Sequence, residues 1–135
     1  MNKPVARISA LSLSLLLLAG CATTSLTSAP ESPAQSQALA LIEQGKPRDA
    51  AVQLEALANT LRGSARSAAL ADAAFAWHEA GDATRARSLL SQVQPRQLTG
   101  ASLQRYQLTS AELALADRQP AQALAALKES SDAVA

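Results

Sequence analysis

Three turn positions outline this chain: Gly45, Gly81 and Arg118 recur at intervals of 36 and 37 residues. Each is followed five residues on by an alanine (Ala50, Ala86, Ala123) and preceded by seven by another (Ala38, Ala74, Ala111). A glycine just past a helix end takes the left-handed conformation that stops the helix. Alanines at matched distances on both sides let the two helices flanking such a turn approach closely. Leu54, Leu90 and Leu127 stand four residues after the second alanine of each set, one helical turn further along the same face. The spacing predicts three antiparallel helical hairpins. Composition agrees, because alanine and leucine dominate while aromatic residues, favoured in strands, make up only 2%. The expected fold class is all-α, with a thin core spread along the chain.

Local signals place the six helices. Ser32-Pro33-Ala34-Gln35 puts a serine at the N-cap, proline at the first helical position and glutamine three residues after the cap, the pattern of a capping box. The helix it opens carries Ala38, Leu39, Leu41 and Ile42 and stops at Gly45. Pro47 starts a second, with Ala50, Ala51, Leu54, Leu57, Ala58 and Leu61 on one face, ending near Gly63. Ser64 is placed to cap a third, through Ala80, facing inward with Leu70, Ala73, Ala74 and Trp77. Asp82 caps a fourth, with Ala86, Leu89, Leu90 and Val93 inward before Pro95. A fifth runs from Thr99 or Gly100 to Arg118, offering Leu103, Tyr106, Leu108, Ala111 and Leu115. Pro120 starts the sixth, with Ala123, Leu124 and Leu127.

This pattern resembles the tetratricopeptide repeat, a helix-turn-helix unit of about 34 residues with small residues at these places. Trp77 occupies the aromatic position of the first helix in the second repeat; Leu41 and Ala114 stand there in the others, and Arg118 replaces the turn glycine in the third. The resemblance implies a tetratricopeptide-like array of three hairpins over residues 33–130, followed by a short tail at 131–135. An irregular array of α-hairpins belonging to no particular family is the alternative.

Ahead of the hairpins, Lys3 and Arg7 precede an apolar run from Ile8 to Ala19, the n-region and h-region of a secretory signal. The run is about twelve residues, short of the roughly 20 a membrane-spanning helix needs. It closes on Leu18-Ala19-Gly20-Cys21, which resembles the lipobox of bacterial lipoproteins. In that class the cysteine thiol is diacylglycerated, cleavage falls before the cysteine, and the new amino terminus is acylated. The resemblance makes residues 1–20 a signal peptide and Cys21, the sole cysteine, a lipidation site. The residue after it is Ala22 rather than Asp, which resembles the pattern of lipoproteins forwarded to the outer membrane. Residues 21–32 are rich in Ser, Thr and Pro without a helical period, and are expected to form a flexible tether.

Several functions find no support in the composition. Removing Lys3 and Arg7 with the signal turns a formal charge of +1 into −1, and the remaining aromatics are Phe75, Trp77 and Tyr106. A nucleic-acid binder usually shows a basic face with stacking groups, so no nucleic-acid partner is expected. His78 is the only histidine, and neither a Cys/His pair nor a histidine metal cluster can be assembled. Asp72, His78, Glu79 and Asp82 read as a solvated face. Arg85, Arg87, Arg96 and Arg105, interleaved with Asp72, Glu79, Asp82 and Glu112, read the same way. Trp77 is expected in the core, and Phe75, two residues away on the helix, over the next hairpin or in a groove. Glycines occur singly, with no phosphate-cradling loop. The chain is expected to be neither an enzyme nor a cofactor binder.

Between Arg66 and Leu127, the segments AALADAAFAWHEAGDATRARSLLSQV and LQRYQLTSAELALADRQPAQALAAL resemble the amino-terminal helical region of the penicillin-binding protein activator lipoproteins, the LpoA/LppC type. In that family a lipidated cysteine, a tether and a tetratricopeptide-like array precede a region built like a periplasmic ligand-binding protein. The resemblance implies an outer-membrane lipoprotein facing the periplasm that regulates peptidoglycan synthesis by contact with a class A penicillin-binding protein. Only Cys21 carries over as a functional residue. The chain stops at Ala135 after the sixth helix, so the family's carboxy-terminal region is expected to be missing, and the last helix to leave an uncapped alanine and leucine surface. The alternative is a generic tetratricopeptide lipoprotein that scaffolds another envelope assembly.

Overall fold

All three predicted turns close as the same hydrogen-bonded motif. In the computed structural model, which describes residues 31–132, the Gly45 N–H donates to Ile42 O at 2.9 Å and the Lys46 N–H to Leu41 O at 2.8 Å. Gly81 and Asp82 repeat the pair onto His78 and Trp77, each at 2.9 Å, and Arg118 and Gln119 repeat it onto Leu115 and Ala114 at 2.9 and 2.8 Å. These are Schellman caps, which need a left-handed residue at their centre. Gly45 and Gly81 supply φ values of 75° and 82°, and Arg118 adopts 58° although it carries a Cβ.

The turns join α1 (Pro33–Glu43) to α2 (Pro47–Thr60), α3 (Gly63–Glu79) to α4 (Ala83–Leu90), and α5 (Gly100–Ala116) to α6 (Pro120–Asp132). The described residues are thus an all-helical array of three hairpins. No helix among them is long and apolar enough to cross a membrane. The signal segment, Cys21 and the tether up to residue 30 lie outside the described residues, as do residues 133–135.

The helix starts bear out some signals and correct others. Ser32 caps α1, its Oγ accepting from the Gln35 N–H at 3.2 Å. The reciprocal half of the capping box does not form, because the Gln35 side chain turns inward to Asp72. Asp82 caps α4, accepting from the Arg85 N–H at 2.9 Å. Ser64 caps nothing: α3 begins one residue earlier, at Gly63 with φ 58°, and α5 begins 37 residues on in the same way, at Gly100 with φ 56°.

Helix α4 stops at Leu90, short of the expected Val93. Ser91 Oγ and Gln92 Nε2 both donate to Ser88 O, and the last N–H groups shift to tighter i→i−3 bonds. Gln94, ahead of Pro95, is then held extended, and a 3-10 turn at Pro95–Gln97 leads into α5.

The core centres on α3, which packs against α2, α4 and α5 and touches α1. Nine of its seventeen residues are buried, so it is enclosed on nearly every side and its alanines set the spacing to its neighbours. Leu54, Leu70, Trp77, Leu89, Val93, Leu98 and Leu113 fill the gaps. Alanines 111, 114 and 123 form a separate small cluster between α5 and α6, with Ala126 against it. On the last hairpin the apolar positions named for α5 are only partly inward, while α6 exposes leucines as expected. Leu108, Leu115, Leu124 and Leu127 are 45%, 57%, 55% and 47% exposed, while Ser102, Gln107 and Thr109 are buried. An apolar count along α5 misses this, because Ser102 and Arg105 reach Asp72 of α3 from among the apolar Leu103, Tyr106 and Leu113 that pack on the core.

Candidate functional site

Polar side chains from three successive hairpins converge on one buried carboxylate. Asp72, on α3, is fully buried, which overturns its reading as part of a solvated face. Its Oδ2 accepts from Gln35 Nε2 of α1 at 2.5 Å and from Ser102 Oγ of α5 at 3.2 Å. Its Oδ1 accepts from Arg105 Nη1 at 3.1 Å, and the same nitrogen reaches Glu31 Oε1 at 2.7 Å. Burial pushes the Asp72 carboxyl above its ordinary range, opposed by the Gln35 hydrogen bond and then by the Arg105 charge. A carboxylate in such surroundings is tolerated only when its lone pairs are engaged, and here three donor contacts from α1 and α5 engage them.

Two open cavities flank this network. One, of about 380 Å³, has a floor of Phe75, Leu39 and Ile42 and a rim of Glu31, Glu43 and Arg105. Phe75 therefore lies between the first helices of the hairpins, as one of its two expected placements had it. The other, also about 380 Å³, lies beyond Gln35 and Ser102 towards Leu61 and Gln97. The Arg105 guanidinium is already bound to two carboxylates, so neither cavity presents an open cationic site.

A second cluster surrounds Trp77, which is in the core as expected at 5% exposure. Its indole N–H donates to Glu55 Oε1. Arg85 holds the same carboxylate with Nε and Nη2 at 2.8 and 2.9 Å and lies 4.9 Å from the ring centroid, with Arg48 at 5.4 Å. The Arg85 hydrogen bond holds the Glu55 carboxyl below its ordinary range despite some burial. This forked pair ties α2 to α4 across the tryptophan on α3, and the tight indole contact makes Trp77 a fastener between hairpins.

Two further pairs tie the second hairpin to the third. His78 Nε2 lies 2.7 Å from Glu112 Oε2, and Arg87 Nη2 lies 2.7 Å from Asp117 Oδ1. The basic residues read as a mixed solvated face are thus individually paired at Arg85, Arg87 and Arg105. Ser102 donates directly to a carboxylate, and His78 is engaged elsewhere, so the arrangement is that of a structural donor.

Ser102 was not singled out by the sequence, and Gln35 only as a capping residue, although both are polar residues at inward helical positions. Cys21 lies outside the described residues. Compared with protein-family models, with curated proteins and with solved structures, the chain matches none.

Proposed function

We propose that this chain is an outer-membrane lipoprotein, anchored through Cys21 and facing the periplasm, whose array is a tetratricopeptide-like interaction module. On this reading it belongs with the amino-terminal region of the penicillin-binding protein activators and regulates peptidoglycan synthesis through a class A penicillin-binding protein. The observation that carries the proposal is the order of parts: Leu18-Ala19-Gly20-Cys21, a short Ser/Thr/Pro segment, and hairpins opening at the Ser32 cap.

The chemistry of each part supports it. One acyl chain binds a membrane reversibly, whereas the three chains of a processed lipoprotein give a stable anchor. The twelve residues from Cys21 to Ser32 reach at most about 40 Å when extended, which keeps the array close to the membrane that holds it. Side chains that pair between hairpins stiffen the array, so a partner meets a preformed surface with little ordering to do.

The test is in two arms on the full chain. Palmitate labelling of the wild type is expected, with loss in Cys21→Ala; a labelled alanine variant contradicts the anchor. Purified class A penicillin-binding protein is expected to retain the lipidated chain. Failure to retain it, with other envelope proteins captured instead, contradicts the partner and points to the generic scaffold.

A further inference from the structure

Carboxylates are unevenly spread along this chain. None occurs from residue 56 to 71 or from 83 to 111. Three arginines in those stretches, Arg62, Arg66 and Arg96, have no carboxylate partner among the described residues. Arg62 and Arg66 donate instead to Leu61 O at 3.0 Å and Ala58 O at 2.9 Å, carbonyls at the end of α2. Such a contact orients an arginine without cancelling its charge.

The fold gathers the three at one end of the array. Gln97 bonds Ser67 at 3.1 Å, and the Gln94 N–H donates to the same hydroxyl at 3.3 Å. The 3-10 turn that carries Arg96 therefore lies against the start of α3, beside Arg66, and Arg62 immediately precedes that helix. The starts of α3 and α5 add to the same polarity. Neither has a side-chain cap, so their first N–H groups stay open at the positive end of each helix. Towards the turns, by contrast, Arg85 and Arg87 are bound by Glu55 and Asp117, and Asp82 caps α4.

The cationic end is also where the tether meets the array. Glu31 and Ser32 line the same cavity as Leu61, Ser64, Gln97 and Thr99. Glu31 is held by Arg105, and residues 21–30 carry no charge, so the approach to this end adds no free carboxylate. Glu129 and Asp132 fall in the last turn of α6, which packs on α5.

We propose that this end of the array docks on the anionic phosphate headgroups of the membrane that holds the chain, with Arg62, Arg66 and Arg96 against the phosphates. Charge and reach select that occupant. Arginine pairs phosphate through two parallel hydrogen bonds, and an uncharged tether of at most about 40 Å joins this end to the anchor. The choice of a membrane over another polyanion rests on the anchor at Cys21. Docking sets the three turns facing away from the membrane.

Amide hydrogen exchange of the full chain tests it, with vesicles of phosphatidylcholine alone or mixed with phosphatidylglycerol. Phosphatidylglycerol is expected to slow exchange at residues 63–65 and 100–102, and to leave Gly45 and Gly81 unchanged. The slowing reports the ratio of docked to free array. Arg62→Gln with Arg96→Gln is expected to lower that ratio on the order of twenty-five-fold, about fivefold for each arginine. Both side chains are exposed, and unchanged protection of the central α3 amides reports an intact fold. Arg62→Lys with Arg96→Lys, which keeps the charge, is expected to retain most of the slowing. Equal exchange on the two kinds of vesicle, equal slowing at Gly45 and Gly81, undiminished slowing in the glutamine variant, or slowing by isolated peptidoglycan and not by the vesicles overturns the proposal. Palmitate labelling reads the anchor separately: labelling without slowing overturns the docking alone, and slowing without labelling overturns the anchor alone.

Discussion

The second and third hairpins share a turn, a spacing and a set of crossing alanines, yet they are held in different ways. In the second, Leu70 is buried, Asp72 has its lone pairs satisfied, Trp77 is clamped by Glu55 and Arg85, and a glycine takes the left-handed turn. Thirty-seven residues on, these positions hold Gln107, Thr109, Ala114 and Arg118. Gln107 Nε2 and Thr109 Oγ1 are buried without a partner among the described residues, Ala114 fills little space, and Arg118 bears a Cβ at positive φ. The backbone of a repeat is thus set by a few small residues and a turn, while its stability is set by what fills the remaining positions. The third hairpin keeps the first and lacks much of the second.

The largest expected effect tests the clamp. Trp77→Ala is expected to destabilise the fold by about 3–5 kcal/mol, through the cavity it leaves and the loss of the link between α2 and α4. Leu115→Ala, on the exposed face of the third hairpin, is expected to cost less than about 0.5 kcal/mol. Denaturant unfolding of both variants checks the contrast, and similar losses would break it.

The next pair compares equivalent buried polar residues. Asp72→Ala removes the acceptor shared by Gln35, Ser102 and Arg105 and is expected to cost about 3 kcal/mol. Thr109→Val removes a hydroxyl that has no partner and keeps the shape, so it is expected to stabilise by about 1 kcal/mol. Opposite signs in thermal or chemical unfolding would sharpen the comparison.

Acidity separates two carboxylates, Asp72 on α3 and Glu55 on α2. Asp72 binds its proton more tightly folded than unfolded, so its contribution is full below its ordinary 3.8 and is lost as pH rises through its folded value. Glu55 is shifted the other way; its contribution is present above its ordinary 4.5 and is lost as pH falls through its folded value. Unfolding curves across the acid range are expected to show Asp72→Asn flattening the loss on the rising side and Glu55→Gln flattening the loss on the falling side.

The smallest effect lies in the turns. Arg118→Gly is expected to stabilise by about 1 kcal/mol, by removing the cost of a side chain in the left-handed region. Gly81→Ala is expected to cost about the same, since no atom lies within 4 Å of the added Cβ and only the conformation is penalised. Melting temperatures of the two variants should move in opposite directions.

What the sequence disclosed was local and periodic. The turn spacing identified Arg118 as a turn residue although it is not glycine, and the structure gives it the same cap as Gly45 and Gly81. The alanine positions and the core place of Trp77 followed from helical spacing. What stayed hidden depends on contacts far apart in the chain. Asp72 looked solvated beside His78 and Glu79, because its partners lie 37 residues back and 30 or more ahead. Leu108 and Leu115 fall on the apolar period of α5, which alone does not say which side of a hairpin has a neighbour, whereas the exposed leucines of α6 agree with the apolar surface expected there. The network around Asp72 was thus the least legible part of the candidate site, and Gln35 within it was credited to a cap it does not complete.

Amide hydrogen exchange, read helix by helix on the dilute single chain, tests the difference between the hairpins most directly. The α3 amides are expected to exchange only through global unfolding, and the α6 amides through a smaller opening of lower free energy that leaves α3 protected. Equal protection of α3 and α6 would contradict the account.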